Sequence, residues 1–130
     1  FLHEFWANYQ YKHEFNPPHW HGGLYSFVIW MKIPYSWHEQ IQLPQFQTTK
    51  IEDRKAGMFE FEYSDTRGET RSLSYQLSPD FEGCMCFFPA WMRHAVYPFF
   101  GTDEERVSIS GNIWYEPGTP SSGKGFGKKK

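Results

Sequence analysis

The chain has 130 residues, with 13 Lys and Arg against 15 Asp and Glu, and a formal net charge of −2. That length suits one domain with a single core, and the charge balance gives no electrostatic case for a nucleic-acid partner. Aromatic residues make up 21% of the chain; large planar side chains suit pleated, half-buried surfaces, which favours a β-rich domain.

Phe1 opens the chain without a Met, which leaves open that it is a fragment, and no signal-peptide pattern is present. Residues 1–15 are aromatic and polar, and Tyr9 to Phe15 alternates in a strand-like way. Asn16-Pro17-Pro18 ends that segment, because proline holds the chain extended and cannot donate to a ladder. His19-Trp20-His21 follows, then Gly22-Gly23, where the backbone can bend or approach a neighbour closely.

Leu24 to Ile33 is the strongest strand, apolar at successive positions and so expected to be buried on both faces. Residues 35–57 form a long polar connection without a helical period; a loop of that length carries function or covers something. Met58–Tyr63 and Ser72–Leu77 alternate around the turn chemistry of Asp65 to Gly68 and predict a β-hairpin. Cys84–Phe88, Arg93–Tyr97 and Arg106–Trp114 complete about eight short strands with no clear helix. The fold class this predicts is all-β, a sandwich, jelly roll or small barrel. One domain over residues 1–115 is expected, with 116–130 as a flexible tail of Pro, Gly, Ser and Lys.

No apolar run reaches the length of about 18 residues that a transmembrane helix needs, so no membrane partner is expected. Cys84 and Cys86 sit two apart on one strand, a poor geometry for a disulfide, which points to a reducing, cytoplasmic setting.

His19 and His21 share a face if the backbone is extended, about 7 Å apart at Cα, close enough for one ion. Imidazole suits Fe(II), Zn, Cu or Ni. His94 follows His21 by 73 residues, just after Phe88-Pro89. A close pair early and a lone histidine late is the spacing of a metal held in the mouth of a β-barrel. His3, His13 and His38 have no such setting and are read as surface or satisfied histidines. On the last strand, alternation places Arg106, Ser108, Ser110 and Asn112 on one face and Val107, Ile109 and Ile113 on the other. The guanidinium fork of Arg106 matches a carboxylate bidentately, with the Ser108 hydroxyl beside it; a polar face turned to water on an edge strand is the alternative. Trp20, Tyr25, Trp30 and Trp91 are candidate pocket walls, and Asn16 and Tyr97 candidate supporting residues.

The segments NPPHWHGGLYSFVIWMKIP, EGCMCFFPAWMRHAVYPF and ERVSISGNIW together resemble the Fe(II)/2-oxoglutarate-dependent oxygenases, over roughly residues 15–115. The resemblance is to a short branch common in phage and marine sequences, with Asn-x-x-His-x-His, a distal His and Arg-x-Ser on the final strand. It implies a double-stranded β-helix, a cupin-like jelly roll with the site in its mouth. It also implies Fe(II) and 2-oxoglutarate as cofactors and hydroxylation of a small-molecule or peptidyl substrate, with succinate and CO₂ as coproducts. Carried over, His19 and His94 are metal ligands, and Arg106 and Ser108 hold the far carboxylate of 2-oxoglutarate.

The sequence departs from the family pattern at the expected Asp or Glu, where His21 stands. His21 then completes a three-histidine site with His19 and His94, or becomes the first ligand with Gly23 in the carboxylate slot, or only supports the ligands. The first arrangement is expected. A three-histidine cupin dioxygenase that does not use 2-oxoglutarate and a non-catalytic β-sandwich binding module are the alternatives. A homodimer stays open, as does a phage-encoded protein acting in host cytoplasm.

Overall fold

The computed structural model describes residues 1–115; the tail expected at 116–130 lies outside the described residues. Among the described residues, eight strands form two four-stranded antiparallel sheets. They are β1 (Leu2–Gln10), β2 (Asn16–His19), β3 (Tyr25–Lys32), β4 (Met58–Ser64), β5 (Thr70–Gln76), β6 (Met85–Pro89), β7 (Arg93–Val96) and β8 (Arg106–Ile113). The first sheet runs β1-β8-β3-β6 and the second β2-β7-β4-β5. This is the all-β jelly roll expected of 2-oxoglutarate oxygenases, and the little helix present lies in the 35–57 connection and one later turn.

The core lies between the sheets. Val28, Trp30 and Phe88 of the first sheet meet Phe59 and Phe61 of the second, with Leu77 and Phe99 closing the ends. Each such side chain contributes on the order of 1.5–3 kcal/mol on burial. The rings interlock edge to face: Trp30 on Phe59 at 5.7 Å, Phe59 on Phe61 at 5.0 Å and Phe61 on Phe88 at 4.9 Å between centroids.

Three local expectations need correction. The first strand spans Leu2–Gln10 rather than Tyr9–Phe15. Aromatic-polar alternation runs through both segments, but β1 pairs with β8, and Gln10 already faces the first residue of β8, Arg106. The chain must then cross to the other sheet, and it turns at His13 (φ 72°). Pro17 and Pro18 do not end a segment but lie inside β2, at the edge of its sheet; only Asn16 and His19 pair with β7, and the register shifts across the prolines between them. The central strand β3 is not buried on both faces. Ser26, Val28 and Trp30 point into the core, whereas Tyr25 and Met31 are exposed on the other side.

The 35–57 connection covers the outer face of the second sheet. A helical turn, α1 (Trp37–Gln40), and two 3₁₀ turns follow one another. Trp37 and Ile41 pack on Met58 with Tyr97 beside them. Gln40 fastens the cover: its amide donates to Phe100 O and its carbonyl accepts from Phe100 N, both at 2.8 Å. Arg54 does the same from within, donating to Thr49 O at 2.9 Å and Ile41 O at 2.8 Å. The hairpin at 58–76 forms as expected, its tip closed by Asp65 Oδ1 accepting the amides of Arg67 and Glu69.

Candidate metal centre and adjoining cleft

His19 ends β2 and pairs in register with His94 on β7. His21 follows two residues on, held by its amide donating to Ala90 O at 2.9 Å. The ligand atoms of the three imidazoles lie within 4.8 Å of one another. Ring centroids are 4.3 Å apart for His19 and His94, 5.1 Å for His19 and His21, and 5.0 Å for His21 and His94.

Backbone carbonyls orient two of the rings. His19 Nδ1 lies 2.7 Å from Pro17 O and His94 Nδ1 lies 3.0 Å from Met92 O. With Nδ1–H donating to each carbonyl, Nε2 is the lone-pair nitrogen in both rings, the arrangement seen for metal-bound histidine. His94 is 3% exposed, its ring stacked on Phe59 at 5.5 Å and edge-on to Phe88 at 5.0 Å. His21 Nε2 and His94 Nε2 stand 3.2 Å apart. Two nitrogens each about 2.1 Å from one ion, at a right angle, stand about 3.0 Å apart. The donor set is three borderline nitrogens, which fits Fe(II) or another late first-row metal.

Gly22 and Gly23 shape the turn after His21. A Cβ on Gly23, whose φ is +102°, would stand 2.7 Å from Ile113 O. A side chain at 23 therefore meets backbone of β8. A Cβ on Gly22 would meet the Trp114 ring at 2.9 Å, a contact that a side chain can relieve. Gly23→Ala is expected to cost more than about 1 kcal/mol of stability and to weaken metal binding, and Gly22→Ala to do less of both. Thermal melts and anaerobic metal titrations of the two variants check this ranking.

The last strand is central, between β1 and β3, not an edge, and its polar face lines the cleft between the sheets. Arg106 is 3% exposed. Its Nη1 donates to the Tyr35 hydroxyl, and its Nη2 to Gln10 Oε1 and, at 3.4 Å, to Tyr97 O. The Tyr35 hydroxyl in turn donates to Gly57 O at 2.9 Å. Burial pushes the Tyr35 phenol above its ordinary pKa, against the opposing pull of Arg106, so it stays protonated at neutral pH. Ser108 and Ser110 receive hydrogen bonds from Asn8 Nδ2 at 3.4 and 3.1 Å. At the far end, Ser26 Oγ donates to Asn112 Oδ1 at 2.7 Å, and Asn112 Nδ2 donates to Glu4.

One cleft of about 2030 Å³ joins these parts, lined by His19, His21, His94, Arg106 and Ser108 among others. Trp20, Trp30 and Asn16 also line it; Tyr25 lies on the outside of the first sheet, and Trp91 is 67% exposed away from the lining. His3, His13 and His38 are exposed, as expected. Sequence reasoning missed Asn8, Gln10 and Tyr35. The alternation Trp6-x-Asn8-x-Gln10 was a usable signal for the first two; Tyr35 had none, because it reaches Arg106 from outside the strands.

A jelly roll of this strand order, with three imidazoles converging beside a buried arginine, defines a candidate metal-dependent enzyme of the cupin-like kind. Residues 4–112 match the model of a family described as "Putative 2OG-Fe(II) oxygenase". The chain belongs to that family, whose description carries Fe(II), 2-oxoglutarate and oxidoreductase chemistry. No curated protein matches the chain. Among the described residues, no helix is long and apolar enough to cross a membrane.

Proposed function

We propose that the chain is an Fe(II)- and 2-oxoglutarate-dependent oxygenase that hydroxylates a small-molecule or peptidyl substrate. The observation that carries this reading is the convergence of His19, His21 and His94 within 4.8 Å on the wall of the cleft that also holds Arg106. His19, His21 and His94 would hold the iron through three nitrogens, His21 taking the place the family gives to a carboxylate. The chemistry supplied with the metal and cosubstrate bound is oxidative decarboxylation of 2-oxoglutarate by O₂ to succinate and CO₂, coupled to hydroxylation of a substrate C–H bond.

The chain's own residues bind and orient. Arg106 offers a charged fork to the far carboxylate, and Tyr35, Gln10 and Tyr97 O fix the plane of that fork. Ser108 adds a hydroxyl one inward position along β8. Phe59 and Phe88 pack against His94 and keep water from its buried side. Trp20, 60% exposed beside the histidines, is available to the substrate.

The all-histidine donor set also supports a second reading, a three-histidine dioxygenase that uses no 2-oxoglutarate and binds a substrate carboxylate at Arg106. An anaerobic titration with Fe(II) followed by 2-oxoglutarate separates the readings. The expected result is one metal per chain and a weak visible charge-transfer band on adding 2-oxoglutarate, then succinate once O₂ and substrate are present. Iron binding without the band, with thiol oxidation and no succinate, would favour the second reading. Absence of stoichiometric metal binding would point to a non-catalytic binding module.

A further inference from the structure

Two neighbouring rows on the outer face of the first sheet are apolar across all four strands, with Lys32 in the next row, beside Val107. Register sets one row as Phe5, Gly111, Phe27 and Phe87 across the four strands. The next row is Ala7, Ile109, Ile29 and Met85. None of these positions carries a charge. Among the described residues, the 35–57 connection covers the second sheet and nothing comparable covers this one.

The exposed area is large. Phe5, Tyr9, Tyr25 and Phe87 are 63%, 62%, 42% and 53% exposed. At about 200 Å² for each aromatic side chain, these four alone present about 440 Å² to water. Met31 and Met85, 49% and 57% exposed, and the half-buried Phe27, Ile29 and Ile109 raise this to roughly 700 Å², above the 300–600 Å² of an ordinary monomer's largest patch and near the 800 Å² or so that each partner gives to a standard interface.

The face is also flat. A Cβ on Gly111 would stand 2.7 Å from the Phe27 ring, so that ring lies down across the glycine instead of standing up from the sheet. Tyr25 and Phe87 stack on each other at 4.9 Å with a 24° interplanar angle. A flat sheet face whose middle rows are uncharged packs well against another of the same kind, at a spacing of about 10 Å. A second copy supplies such a face by symmetry.

We propose that this sheet face is a homodimer interface, two copies packing sheet on sheet about a two-fold axis. The contact is isologous, so each side chain acts twice. The histidines and Arg106 lie on the opposite side of the sheet, and the proposal does not rest on what they bind.

Sedimentation equilibrium of the 130-residue chain at micromolar concentrations tests it, with the Met85→Lys/Phe87→Glu double variant alongside. The wild type is expected to sediment as a dimer of the 15.5 kDa chain. The variant is expected to dissociate roughly 100-fold or more readily, with unchanged circular dichroism and unchanged metal stoichiometry, since both substituted side chains point outward. A monomeric wild type overturns the proposal, including the case in which another stretch of polypeptide covers the face. Open-ended aggregation, or a dimer that the double variant leaves intact, overturns it as well.

Discussion

His94→Ala is expected to abolish stoichiometric Fe(II) binding, lowering affinity by more than the 10–100-fold or so that loss of a supporting residue costs. The nitrogen it removes faces His21 Nε2 at 3.2 Å and is presented by an Nδ1 contact to Met92 O. Because His94 is 3% exposed and stacked on Phe59, truncation also leaves a gap in the core. A stability loss of about 1–3 kcal/mol should accompany it. His94→Gln keeps more of the volume and separates the two effects: its melting temperature should stay near wild type while iron binding is still lost. The companion pair is His21→Ala and His21→Asp. The first should lose the metal; the second, which restores the acid found elsewhere in the family, should keep it. Anaerobic calorimetry with metal analysis reads all four variants. Wild-type stoichiometry in His94→Ala would remove the metal centre from this cleft.

Arg106→Ala should weaken 2-oxoglutarate binding by roughly 2–4 kcal/mol, which is about 30- to 1000-fold in KM for the cosubstrate. The guanidinium is buried and held in place by Tyr35, Gln10 and the Tyr97 carbonyl on its two terminal nitrogens. Removing it also strips donors from Tyr35 Oη and Gln10 Oε1, at a cost of about 1–3 kcal/mol for buried acceptors. Arg106→Lys distinguishes the cosubstrate effect from the structural one. Lysine keeps a charge and can satisfy one acceptor, but it has no fork. Its melting temperature should recover most of the loss, while KM for 2-oxoglutarate stays well above wild type. An unchanged KM in both variants would move the cosubstrate anchor off the last strand.

The parts of the fold and site that could be read in the sequence are those written with period two. The hairpin at 58–76 was legible because its alternation and its turn are local. Arg106 to Asn112 was legible as a polar face for the same reason, although its position in the middle of a sheet was not. The three histidines were grouped by spacing, a close early pair and a lone late residue 73 positions after His21, and the family resemblance then gave them roles. What stayed hidden depends on partners far along the chain. Nothing near Leu2 announces pairing with Ile113, and that pairing decides where β1 starts and stops. Proline at 17 and 18 argued against a strand, yet an edge has solvent-facing amides to spare. Apolar residues on both faces of β3 promised two buried sides, because the sequence does not say whether a layer covers the second.

The position of β8 bears on how the protein is made. The last strand among the described residues inserts between β1 and β3, which were synthesised long before. At about 5–20 residues per second, the interval from the end of β3 to the end of β8 lasts roughly 4–16 s. During it, β1 has no partner, and β3 has none until β6 is made and one open edge after that; both strands are rich in aromatic residues. Arg106 and its hydroxyl neighbours arrive with the closing strand. The Arg106 wall of the cleft is therefore completed only when β8 pairs, after a period in which aromatic strand edges stand open to other chains.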